Sequence, residues 1–213
     1  MAQITINDVT KVTLKDLYQM GRDAYDSLWE QARNYDRDVK LYLHHTAGRY
    51  HQFFDDYHVS IDNDGSIYVV TSDLSEVLPH TWKRNSGAIG LTMLGYYGAS
   101  YNGSLGDYAP TDAQIESMVQ SVTVLANALD LTIDIERVMS HGEAADNMDG
   151  YYGAYGEDEE YGPNTTCERW DLDRLHDGDE KGSGPQYLRN RANYYRDLWN
   201  GDPDKYGPYG EKW

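Results

Sequence analysis

The stretch 41–48, Leu-Tyr-Leu-His-His-Thr-Ala-Gly, constrains this chain more than any other. Three apolar residues of strand character run into two imidazoles, and Thr-Ala-Gly then turns the chain away. Ligand-type nitrogens are thereby offered at a rigid edge. A metal site can begin there. Taken alone, the pair reads more simply as one satisfied core histidine and one exposed histidine, so the rest of the sequence must decide.

The pattern on either side alternates helix and strand. Thr13 is placed to cap a helix over residues 14–34, with Leu14, Leu17, Tyr18, Met20, Ala24, Leu28 and Trp29 near helical spacing. Residues 57–61 and 66–70 read as strands around Asp62-Asn63-Asp64-Gly65, a hairpin signal because Asp and Asn tolerate positive φ and Gly adopts it freely. The Gly-bounded run 88–95 suits a buried strand. Thr111 caps the clearest helix, whose apolar face is Ile115, Met118, Val119, Val122, Leu125, Ala126 and Leu129. Residues 133–139 fit strand or loop and deliver Ser140-His141-Gly142-Glu143; residues 146–181 carry little periodicity, and 187–199 read as a short helix before a turn-rich tail. With no internal repeat and no Gly/Ser linker, we expect one domain over residues 1–183 and a helical extension, 184–213, packed on it.

Charge and cysteine usage narrow the partners. The balance of 18 Lys+Arg against 36 Asp+Glu gives -18, which repels phosphate backbones and argues against nucleic acid or an anionic membrane as ligand. A single cysteine, Cys167, leaves no intramolecular disulfide framework and fits a reducing compartment of synthesis. No segment is apolar for long enough to span a bilayer, and the first residues lack the pattern of an export signal, so synthesis in a cytoplasm without a signal peptide is expected. A hydrophobic share of only 39%, with 20 Tyr, points to a Tyr-rich core.

Five pieces then occur in one order: His-His-Thr-Ala-Gly; Tyr-His-Val-Ser-Ile-Asp-Asn-Asp-Gly-Ser-Ile; Asn-Ser-Gly-Ala-Ile-Gly-Leu-Thr-Met-Leu-Gly; Pro-Thr-Asp-Ala-Gln; and Ser-His-Gly-Glu-Ala-Ala. Over residues 41–172 the chain resembles the zinc-dependent N-acetylmuramoyl-L-alanine amidases, whose fold is shared with phage lysozyme-type amidases and peptidoglycan recognition proteins. The resemblance implies an α/β fold, a central mixed sheet flanked by helices, here with an N-terminal helix and a C-terminal helical extension. It implies zinc as cofactor, with His44 and His141 as ligands and Asp171 as the third. Arg169-Trp170-Asp171 reproduces the family's basic-x-ligand spacing, and Cys167 is the competitor for the third place. By the same resemblance Tyr57 and Arg169 serve the reaction's oxyanion and water, Glu143 is a candidate general base, and His45, His80 and Asn85 line the substrate cleft.

The chain departs from the family in a short link between His44 and Tyr57 and in a long one between His141 and Asp171. The second carries an insertion, 146–166, read as a solvated, Tyr-pinned lid in preference to a calcium site, since it lacks EF-hand spacing. The implied activity is hydrolysis of the amide between N-acetylmuramic acid and L-alanine of peptidoglycan, by a monomeric phage or prophage endolysin acting on the cell wall after release. The alternatives are a peptidoglycan-binding module without chemistry and a virion-associated structural hydrolase.

Overall fold

The computed structural model describes residues 2–152 and 160–207. Its sheet is built on the two apolar runs. β3 (Lys40–His45) and β7 (Ala88–Met93) pair in parallel from Lys40 opposite Ala88 to His45 opposite Met93. β8 (Val138–Ser140) joins the other side of β3, also parallel, with Leu43 opposite Ser140. β5 (Val59–Ile61) lies parallel to β7, and β6 (Ile67–Val69) returns antiparallel to β5. The turn between them is the expected one: Gly65 takes φ 81° and its N–H donates to Asp62 O at 2.8 Å. β2 (Thr10–Val12) closes the far edge, giving the order β2-β6-β5-β7-β3-β8. β1 (Gln3–Ile4) and β4 (Phe53–Phe54) form a separate ribbon.

Alternation along β3 decides which side each residue serves, because successive strand side chains face opposite ways. Leu41 and Leu43 enter the main core, whereas Tyr42 belongs to a smaller buried cluster with Ala88, Met139 and Ala144. His44 therefore shares Tyr42's face and His45 the face of the leucines.

The main core lies between the sheet and three helices, α1 (Leu14–Asp23), α3 (Asp112–Ala128) and α5 (Ser183–Trp199), with α3 touching both of the others. α3 starts where a capping box is written: Thr111 Oγ1 accepts from Gln114 N–H, and the Gln114 side chain reaches back to Thr111 N–H. The same Gln114 amide donates to Ile61 O at 3.0 Å and Leu94 O at 2.8 Å, which ties the helix start to two strand ends. Met118, Val122 and Leu125 are fully buried, and burial of such a side chain contributes about 1.5–3 kcal/mol.

Four details differ from the sequence reading. The helix expected over 14–34 is two, α1 and α2 (Tyr25–Arg33), meeting at Ala24. Gly21 brings α1 within reach of Ala128, where a Cβ would sit 2.9 Å from the Ala128 Cβ, while the Trp29 indole donates to Leu129 O at 3.1 Å and draws the second half around the end of α3. The ambiguous stretch 133–139 becomes strand only from Val138; before it, Arg137 N–H bonds the Asp134 carboxylate at 3.0 Å and holds a turn. α5 starts at Ser183, earlier than its apolar periodicity, since Gly182 at φ 79° precedes it and Pro185 suits a first turn that needs no donor. The short strands β1, β2 and β4 have no pattern of their own and exist by pairing.

Candidate metal centre

Three of the four parallel strands, β3, β7 and β8, end on one edge of the sheet, the usual place for a site in open α/β sheets. β3 delivers His44 there. β8 runs into α4 (His141–Ala145), a short helix opened by a second capping box in which Ser140 Oγ accepts from Glu143 N–H at 3.1 Å and Glu143 accepts from Ser140 N–H at 3.0 Å. His141 is thus the first residue of a helix whose start is fixed. Asp171 arrives from the irregular segment beyond, pinned by the His45 backbone N–H, which donates to Asp171 Oδ2 at 3.2 Å.

The three side chains converge on one point. His44 Nδ1 lies 3.2 Å from His141 Nδ1, and Asp171 Oδ2 lies 3.6 Å from the first and 3.7 Å from the second. A tetrahedral ion with ligand bonds of about 2.0–2.1 Å spaces its donors about 3.3 Å apart, so the spacing fits one metal ion held by two imidazoles and a carboxylate. Among the described residues this is the group of His, Cys, Asp and Glu donors able to do so. Protonation suits the same task. Burial lowers the His44 imidazole to about 4, against the raising hydrogen bond of Asp171. Burial raises the Asp171 carboxyl, but His45, His141 and His44 together hold it well below the usual carboxylate range. A neutral imidazole and an ionised carboxylate are what a divalent cation needs.

The competitor for the third place is elsewhere. Cys167 is exposed, at φ 59°, with its thiol donating to Pro163 O at 3.5 Å.

A cleft of 460 Å³ opens beside the three donors, lined by His45, Tyr57, His80, Arg169 and Trp170 among others. Tyr57 is buried with its ring 5.1 Å from that of His44. Burial, reinforced by Asp171, pushes its hydroxyl far up, so it remains a proton donor throughout the neutral range. Arg169 is half-exposed beside Glu168, at 3.3 Å. The His45 ring stacks on Tyr96, centroids 4.2 Å apart and 14° from parallel, and also contacts Trp170. This is the leucine face anticipated by the strand alternation.

Two of the expected cleft residues are engaged in the loop of residues 79–86. His80 is buried, its ring packed so close on Gly90 that a Cβ there would meet His80 Cγ at 2.6 Å. Asn85 Oδ1 accepts from Thr81 N–H at 2.7 Å and closes the loop. Glu143, expected as a base, is committed to structure: besides the capping box, both carboxylate oxygens take Arg189 of α5, at 2.7 and 2.8 Å. It is absent from the lining of the cleft.

Sequence reasoning missed Thr81. Its hydroxyl stands between His80 Nδ1 at 2.9 Å and His44 Nε2 at 3.4 Å, so it orients the ring whose other nitrogen faces the metal position. It also missed Asp149, whose carboxylate bonds Lys40 Nζ at 2.9 Å and Arg84 at 3.0 and 3.2 Å, holding the first part of the insertion against the sheet. The lid reading falls partly on residues 153–159, outside the described residues; where described, the insertion is anchored by Asp146, which accepts from Asn164 N–H at 2.9 Å. No helix among the described residues is long and apolar enough to cross a membrane.

Comparison with known proteins gives one family. The profile of N-acetylmuramoyl-L-alanine amidases matches residues 30–154, more than half of the 213 residues. That stretch includes His44, Tyr57, His80, His141 and Glu143; Asp171 lies beyond it and joins them by geometry alone. Similar solved structures include the endolysine N-acetylmuramoyl-L-alanine amidase LysCS from Clostridium intestinale URNW, 20% identical over 52% of this chain and 72% of that one, TM-score 0.36. PGRP-Hd from Alvinella pompejana is 19% identical over 48% and 71%, TM-score 0.34. The Ph2119 endolysin from Thermus scotoductus MAT2119 bacteriophage Ph2119 is 16% identical over 56% and 83%, TM-score 0.37. No curated protein sequence matches.

Proposed function

The chain belongs to the N-acetylmuramoyl-L-alanine amidase family, and from that premise we propose that it cleaves the muramyl–alanine amide of peptidoglycan with one zinc ion held by His44, His141 and Asp171. The observation that carries the assignment is the mutual approach of their three donor atoms, 3.2 to 3.7 Å. When bound there, zinc supplies Lewis acidity: it makes water a nucleophile near neutral pH and withdraws electrons from the scissile carbonyl.

The protein's own groups do the rest. Tyr57, kept protonated by burial, donates a hydrogen bond to the oxygen that gains charge as the carbonyl carbon becomes tetrahedral. Arg169, half-exposed at the rim, contributes positive charge to the same oxygen, where fixed donors lower the barrier without reorganising. The His45 backbone N–H and Thr81 hydroxyl hold Asp171 and His44 in place. Glu143 is left out of the reaction. As a finer proposal, the enzyme is an endolysin that meets the wall from within, acting once the membrane is opened. The described part of the expected extension, residues 184–207, belongs to the same domain rather than to a separate wall-binding unit.

The test is metal content and stem-peptide release from purified peptidoglycan for the parent, His44→Ala, Asp171→Ala and Cys167→Ser. We expect about one zinc per chain in the parent and in Cys167→Ser, and loss of both metal and activity in the other two. Full zinc and activity in Asp171→Ala would overturn the ligand assignment. Lysis of permeabilised but not intact bacteria by added protein is the outcome expected of an endolysin of this kind.

A further inference from the structure

The loop of residues 79–86 holds most of its side chains tightly. Thr81 and Arg84 are each 3% exposed, Asn85 closes the turn on Thr81 N–H, and Arg84 is bound by Asp149, Asn147 and the carbonyl of Tyr151. Lys83 takes φ 58°, a left-handed conformation that turns the chain sharply just after Trp82. The residue before it is Trp82, and its side chain is the opposite of its neighbours': 67% exposed, the most exposed of the large hydrophobics among the described residues. No ring contact involves it among the described residues. Indole surface left in water forgoes about 25 cal/mol for every Å² not buried, and here it is presented from a rigid loop, not a floppy one.

Its position relates it to the reaction. Trp82 and Thr81 border a small recess that also touches His141, Ala144 and Tyr161. His141 lines the main cleft as well, so recess and cleft meet at one of the proposed ligands. The adjacent Thr81 hydroxyl contacts His44. A polymer whose amide is seated at the three donors can reach Trp82 by way of the recess.

We propose that Trp82 is a substrate-positioning residue whose indole stacks on the apolar C–H face of a hexopyranose in the glycan strand. This inference rests on the amidase reading above. A flat aromatic surface suits the sugar because the ring face of a pyranose is apolar and uncharged, whereas the net charge of -18 leaves little attraction for the anionic parts of the wall. The indole N–H remains free to bond a sugar hydroxyl or acetamido oxygen. Trp82 does not touch the scissile amide; it sets where along the strand the enzyme sits.

Being exposed, Trp82 can be changed without loss of folding. The experiment measures binding of a peptide-free tetrasaccharide of alternating N-acetylglucosamine and N-acetylmuramic acid to the full chain, and separately kcat and KM for stem-peptide release from peptidoglycan, for the parent, Trp82→Ala and Trp82→Phe. Expected for Trp82→Ala is a fall of about five- to tenfold in tetrasaccharide affinity and a matching rise in KM with kcat unchanged, and recovery of most of both in Trp82→Phe. Tetrasaccharide binding within twofold of the parent in Trp82→Ala, or a fall in kcat at constant KM, would overturn the proposal. A parent that binds the tetrasaccharide through Trp82 yet releases no stem peptide supports it, and counts against the metal-site assignment instead.

Discussion

Of the side chains around His44, Thr81 has the least chemistry and a decisive position. Its hydroxyl meets the nitrogen of His44 turned away from the metal position, and partners of this kind fix ring orientation and raise ligand basicity. Thr81→Val keeps the volume and removes the hydroxyl. We expect zinc affinity to fall about tenfold, read by competition against a chromophoric chelator, with an unchanged circular dichroism spectrum. Such a residue leaves no trace in the sequence, because its partner is 37 positions away and a Thr in a loop has many ordinary uses. His44 was legible as a candidate because it stands at the end of an apolar run, and the family resemblance paired it with His141. Asp171 was legible only through the spacing of Arg169 and Asp171, since its segment has no period. Glu143 misled for the opposite reason: an acid two residues after a ligand looks chemical, yet its spacing of three from Ser140 writes a helix cap.

At the level of elements, the insertion and the last helix are each held by a buried charge. The side chain of Asp149 is 1% exposed and lies between Lys40 of β3 and Arg84. Burial raises its carboxyl, but the two cations outweigh burial and hold it below the ordinary value. A carboxylate depressed in the folded state adds stability above the unfolded pKa of about 3.9, and loses it as pH falls through the lower folded value. Urea unfolding of the parent should therefore weaken on acidification below about pH 4, and Asp149→Asn should flatten this component of the slope. At neutral pH the same variant should cost about 3–5 kcal/mol, since it strands two buried cations. Glu143 and Arg189 join α4 to α5. Glu143→Gln should lower the melting temperature and leave kcat of the folded enzyme within about twofold, whereas a general base would lose far more, about 10²–10⁴-fold; thermal denaturation and steady-state kinetics on one preparation separate the two. Elements with a strong period, such as β7 and α3, were readable from sequence. The break at Ala24 was not, because it arises from Gly21 meeting Ala128 on another helix.

For the whole molecule, the proposed ion joins segments far apart in the chain: His44 and His141 are 97 positions apart, and His45 and Asp171 are 126. An ion that binds the folded chain and not the unfolded one stabilises by mass action, about 4 kcal/mol at a thousandfold excess over Kd. For a chain of this size that amounts to a rise in melting temperature of roughly 8–16 °C on adding zinc to chelator-treated protein; calorimetry with and without zinc measures it, and an unchanged transition would refute a metal at this place. The individual helices and strands were legible from their spacing, whereas their arrangement as a mixed sheet flanked by helices was legible only through the family resemblance. The meeting of three distant donors was legible in no other way, since nothing local records it. The opposite orientations of His44 and His45 on β3 carry a consequence for assembly. A strand that docks one residue out of step exchanges the two imidazoles, turning His45 toward the ion and His44 toward Tyr96. The proposed ion would therefore meet His44 together with His141 and Asp171 only once β3 is in register with β7 and β8, so metal affinity reports the register of the sheet.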